Sequence, residues 1–126
     1  MQPDFAAPDL LHHLEASQDA ERDALPFGVI GMALDGTVRQ YNTAEATLSG
    51  LTPARVIGRH FFTSVAPCTN NDLVARRFEV EAPLDDVIDY VFTLRMAPTP
   101  VQLRLLKHPS AQHMYLLVQR RPVHVG

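Results

Sequence analysis

Cys68 is the only cysteine among the 126 residues of this chain. One thiol can make no internal disulfide and cannot by itself build a zinc site. Positive charge is also thinly spread. Eleven Lys and Arg stand against fourteen Asp and Glu, and the basic doublets are confined to Arg76-Arg77 and Arg120-Arg121. A formal net charge of -3 without a basic face argues against a nucleic-acid partner. No apolar run reaches the roughly eighteen residues of a membrane span, so no membrane insertion is expected. The N-terminus has no basic segment followed by an apolar stretch, and no secretory signal is expected.

Hydrophobic residues make up 46% and charged residues 20%, the balance of an ordinary folded chain with one core. The expectation is a cytoplasmic protein, monomeric or weakly dimeric; Leu116, Leu117, Val118 and Val123 are too few to define a dimer face. The six histidines form no metal-binding pattern. His12 and His13 are adjacent and point to different sides of a helix, while His108 and His113 flank a turn. Glu79, Glu81, Asp85, Asp86 and Asp89 read as a solvated acidic face. No nucleophile elbow occurs and Cys68 lacks a local activator, so the chain is not expected to be an enzyme.

Periodicity divides the chain. Leu10, Leu11 and Leu14 after Pro8-Asp9 fit one face of a short helix, and residues 1–24 read as a polar cap, with 17–23 a solvated helix end or linker. Residues 27–34 read as an apolar strand, Asp35-Gly36 as a two-residue hairpin turn, and residues 37–41 as the returning strand. Asn42 or Thr43 can cap a helix that Gly50 closes, and Thr52-Pro53 starts another. Asn71-Asp72 can cap a third helix running through Phe78. Residues 87–96, 101–107 and 114–120 then read as strands, with Pro98, Pro100 and Pro109 in the connections. Two strands, several short helices and three more strands imply an α+β domain: an antiparallel sheet of about five strands with helices on one face.

That order matches the PAS fold, and residues 25 to 120 resemble the photoactive yellow protein family. The resemblance rests on Phe27-Gly28, the run QYNTAE at 40–45, VIG at 56–58, FFTSVAPCT at 61–69 and MAPT at 96–99. It implies a PAS photosensory domain over 25–126 behind an N-terminal helical cap whose loosening carries a signal. It further implies 4-hydroxycinnamic acid (p-coumaric acid) joined as a thioester to Cys68, in a loop that Pro67 helps to fix. Tyr41 and Glu45 would hydrogen-bond the pigment's phenolate, with Ser49 behind Tyr41. Asn42 would tie neighbouring backbone, and Phe61, Phe92 and Met96 would line or flank the pocket. Three departures stand out: Ser49 replaces a threonine, Leu51 an arginine at the pocket mouth, and Leu94 a tyrosine.

The implied chemistry sets demands on these residues. A phenol titrates near ~10, so holding it ionised requires donors. Tyr41 can donate, and Glu45 can donate only if burial and the adjacent negative oxygen keep it protonated. Light would turn the pigment from trans to cis, Glu45 would lose its proton, and a buried carboxylate would drive partial unfolding. The output would be a changed surface read by an unidentified downstream signalling protein. Two other readings share the sequence: a PAS-type interaction or small-ligand domain without pigment, and a catalytic cysteine protein.

Overall fold

The computed structural model of the chain describes residues 2–93 and 98–121. Five strands, β1 (Gly28–Met32), β2 (Val38–Tyr41), β3 (Leu84–Phe92), β4 (Thr99–Lys107) and β5 (Met114–Arg120), form one antiparallel sheet in the order β2-β1-β5-β4-β3. All five residues of β1 are buried, as are Met114 to Val118 of β5. Both faces of the sheet centre are therefore covered, which is why these strands read as continuous apolar runs rather than as alternation. The edge strand β3 keeps Val87 and Val91 exposed.

Helices α1 (Leu10–Ala16) and α2 (Asp19–Asp23) precede the sheet, and α3 (Thr43–Ser49), α4 (Pro53–Val56) and α5 (Ala75–Val80) lie between β2 and β3. Two cores result. On one face, Phe61, Phe62, Val65 and Phe78 pack with Ile30, Met32, Leu103 and Leu116. The other core joins Phe5, Leu10 and Leu14 of the N-terminal segment to Phe27, Val29, Leu106, Tyr115 and Leu117. The cap is thus a packed layer. It is also fastened by polar contacts: the Glu15 carboxylate accepts from Tyr115 Oη at 2.8 Å and from the backbone N–H groups of Gln112 and His113. Buried Arg104 donates to the carbonyls of Phe5 and Ala7 while pairing with Asp85.

Several boundaries differ from expectation. Strand β1 stops at Met32, and Ala33 N–H bonds Thr37 O at 2.8 Å across a three-residue connection, Leu34 to Gly36. Gly36 takes φ +92°, the left-handed position that such a loop reserves for glycine. Within the stretch expected as a helix end or linker, residues 19–23 form a short separate helix, with Gln18 N–H bonded to Glu21 Oε1 at its start. Strand β3 begins at Leu84, before the expected Val87, because the charges of Asp85 and Asp86 that masked it are matched by Arg104 and Arg77. The acidic face is accordingly ion-paired in large part: Arg77 also holds Glu81, and Arg121 lies 3.6 Å from Asp89. Pro100 lies inside β4, not in a connection. It is the second residue of the strand, where a missing N–H costs only a terminal bond. Asn71 Oδ1 caps Leu73 and Val74 as expected, although the regular helix starts only at Ala75.

Candidate functional site

The site grows from the junction of β2 and α3. Asn42 ends the strand and caps the helix: its Oδ1 accepts from Glu45 N–H at 3.1 Å and from Val29 N–H at 2.8 Å. Its Nδ2 donates to the carbonyls of Phe27 and Arg22. With the amide satisfied at both ends, the first turn of α3 is fixed against β1. Gly50 closes the helix at φ 77°. This helix is inverted in polarity. Glu45 and Ser49, four residues apart and so on one face, are its buried residues, whereas Ala46 and Leu48 are partly exposed.

Burial of the Glu45 carboxyl is nearly complete, at 1% exposure. Its Oε1 has no hydrogen-bond partner among the described residues. A Cβ placed on Gly28 would come within 2.2 Å of that oxygen, so the carboxyl rests directly on the β1 backbone. Burial pushes the acid up to about 8, with hydrogen bonding to Tyr41 pulling the other way. Tyr41 is itself buried, and burial, then the Glu45 charge, raises its phenol above the ordinary value. The Tyr41 hydroxyl lies 2.7 Å from Ser49 Oγ, which also accepts from Leu51 N–H. The structure therefore brings Tyr41, Glu45 and Ser49 together.

Cys68 lies in a tight turn, Pro67–Thr69, that follows a wide turn, Phe61–Val65. Thr69 Oγ1 bonds Ala66 O at 2.7 Å and holds the turn closed. The thiol is half-buried and packs, with Leu51, against the core that contains Tyr41, Phe61 and Phe92. Phe61 is buried edge-to-face on Phe62 at 5.2 Å, and Phe92 likewise meets Tyr90 at 5.9 Å. The ring of Pro67 is exposed, so its contribution is to start the turn and not to form a wall. Met96 and Leu94 lie outside the described residues.

Three residues join the site without having been expected there. Tyr90 donates to the Cys68 carbonyl at 2.6 Å, and Asn71 bonds both groups. Gly28 makes room for the Glu45 carboxyl. Tyr90 shares the inward face of β3 with Phe92 at a spacing of two, which is the signal that could have found it. Among the described residues no three His, Cys, Asp or Glu side chains are grouped to hold a metal ion, and no helix is long and apolar enough to cross a membrane.

An unpartnered buried carboxyl beside a tyrosine hydroxyl, in the core against which the sole thiol packs, has the donors that a thioester-linked phenolic group requires. Comparisons with known proteins place the chain in a family. The PAS fold family matches residues 13–122. The photoactive yellow protein of Rhodothalassium salexigens is 33% identical over 119 residues, covering 92% of this chain and 95% of the relative. That of Halochromatium salexigens is 34% identical with the same coverage. The crystal structure of the photoactive yellow protein domain of the sensor histidine kinase Ppr from Rhodospirillum centenum superposes with a TM-score of 0.80 at 39% identity, covering 87% of this chain and 99% of that domain. Fold, site and relatives converge: the chain belongs to the photoactive yellow protein family of PAS domains.

Proposed function

We propose that this chain is a blue-light-sensing signalling module carrying a 4-hydroxycinnamoyl group as a thioester on Cys68. The observation that carries the reading is the Glu45 carboxyl: fully buried, with one oxygen unpartnered, beside the Tyr41–Ser49 pair. When bound, the group supplies a conjugated double bond that isomerises from trans to cis in blue light, and an ionisable phenolic oxygen. Cys68 holds the acyl end. The Tyr41 hydroxyl donates to Ser49 Oγ; with the group bound, Ser49 would turn its own proton to Tyr41 Oη and free the Tyr41 proton for the phenolic oxygen. At a pKa of about 8, Glu45 is about nine-tenths protonated at pH 7 and serves as the second donor. Loss of the dark arrangement lets Glu45 release that proton, which leaves a carboxylate in a site that offers it no cation. A buried unpaired charge costs several kcal/mol, a large part of a domain's ~5–15 kcal/mol stability, so local structure gives way. The cap is the segment expected to loosen, and the changed surface is what a downstream signalling protein would read.

The test is intact mass and absorption after the chain is offered activated 4-hydroxycinnamate. The expected result is one adduct and a visible band, both lost in Cys68→Ser, with an infrared COOH band for Glu45 in darkness. A folded chain that takes up no pigment overturns the proposal and leaves a PAS interaction or small-ligand domain. A carboxylate band at Glu45 in darkness overturns the switching mechanism.

A further inference from the structure

We propose that Tyr90 and Asn71 form a clamp on the Cys68 carbonyl that makes the attachment residue a fixed pivot. The proposal rests on the pigment-bearing reading above. Tyr90 Oη donates to Cys68 O at 2.6 Å, Asn71 Nδ2 lies 2.6 Å from Tyr90 Oη, and the same amide reaches Cys68 O at 3.2 Å. Three polar groups thus close a triangle between the attachment turn, the start of α5 and the edge strand β3. Each is held from outside. Asn71 Oδ1 is occupied by the N–H groups of Leu73 and Val74, so the amide cannot flip without uncapping the helix. The Tyr90 ring is set at 76° to that of Phe92. On the other side of the turn, Thr69 N–H and Oγ1 both bond Ala66 O.

A rotation inside a group tethered at one end is taken up by whichever end is held less firmly. A Cys68 peptide fixed to β3 directs that displacement away from the attachment turn and toward Tyr41 and Glu45, where the proton is held. Tyr90 and Asn71 are therefore positioning residues that act through Cys68. Among the described residues neither side chain hydrogen-bonds Tyr41, Glu45 or Ser49, so the dark colour should change little.

Because Cys68 is the sole cysteine, carbonyl-13C cysteine labels one peptide carbonyl in the whole chain. In the pigment-free protein, Tyr90→Phe should move that carbonyl stretch to higher wavenumber. Asn71→Ser, which retains a capping oxygen but cannot reach Tyr90, should move it less in the same direction. In the pigment-bearing protein, both variants should keep the dark absorption band while dark recovery changes by about tenfold, or about 1.4 kcal/mol. An unshifted carbonyl stretch in Tyr90→Phe overturns the clamp. A shifted stretch with recovery within about twofold of the unsubstituted protein overturns the pivot role. A dark band displaced as far as in Glu45→Gln overturns it too, by placing Tyr90 at the phenolic end. An unsubstituted protein that takes up no pigment is a separate result: it overturns the functional reading, and the pivot role with it, while the carbonyl shift still reports the bond.

Discussion

Glu45 should make the pigment-free protein lose stability as the solution becomes more alkaline. Its carboxyl is 1% exposed, and burial lifts it from 4.5 to about 8. Between those two values the folded chain binds more protons at this site than the unfolded chain does. Stability therefore falls as pH rises through that window, and the loss is complete above about 8. The interval corresponds to a loss on the order of 5 kcal/mol, a third or more of what a domain has. Glu45→Gln keeps the shape and a donor and removes the ionisation. Urea unfolding of both proteins between about pH 4 and pH 9 isolates the effect. The curves should nearly meet in acid and separate by several kcal/mol in alkali, with Glu45→Gln the more stable. If the two curves run parallel across the range, the carboxyl is either ionised throughout or solvated, and Glu45 holds no poised proton.

Gly28→Ala would drive a methyl group to within 2.2 Å of Glu45 Oε1, so the carboxyl must move; we expect a cost of about 1–3 kcal/mol in urea unfolding and a weakened pH dependence. Glu15→Gln and Tyr115→Phe should each speed hydrogen exchange throughout α1, by the ~1–3 kcal/mol of a severed charged hydrogen bond, while β1 and β5 stay protected. Burial alone would raise the Glu15 acid, but donors from Tyr115, His113 and Gln112 outweigh it and hold it below the usual value. The cap fastening is therefore fully present above 4.5 and fades as pH falls through the lowered value, which exchange measured in acid would show. Leu51→Arg places a guanidinium beside the half-buried core around Cys68, and should change dark recovery of the pigment-bearing chain by up to about fivefold; an unchanged rate would refute the role of that departure.

Legibility followed the range of the interaction. A cap at Asn42 or Thr43, which the structure assigns to Asn42, Gly50 as helix end and Pro53 at a helix start were readable because each acts within four residues. The buried strands were readable as runs because both sheet faces are covered. Strand β3 was misjudged at its start because Asp85 and Asp86 look like loop residues until Arg104 and Arg77 are brought beside them. The Asp35-Gly36 turn was located correctly but built with one residue more than expected, since Leu34 leaves the strand and is exposed. At the site, Tyr41, Glu45, Ser49 and Cys68 were named through motif resemblance. No local pattern would have singled out a glutamate on a short helix as buried. Tyr90 remained hidden because its partner lies 22 residues away, across the width of a fold that only tertiary structure defines.

The wiring around Asn42 indicates how a charge at Glu45 could reach the opposite face of the sheet. Glu45 N–H and Val29 N–H share one amide oxygen, while the amide nitrogen of the same residue holds the carbonyls of Phe27 and Arg22. Arg22 belongs to α2, and its guanidinium bonds the Ser17 carbonyl just after α1. Helix α3 therefore cannot shift its first turn without straining or breaking a bond to the cap. An ionised Glu45 would be driven toward water, and the Gly28 backbone on which its carboxyl rests blocks movement in that direction. The side-chain amide that caps the helix is thus also one tie to the cap, through the Arg22 carbonyl. On the proposed function, loss of these bonds would loosen α2 first, whereas α1 keeps its own fastening through Glu15, Arg104 and the apolar layer beneath it.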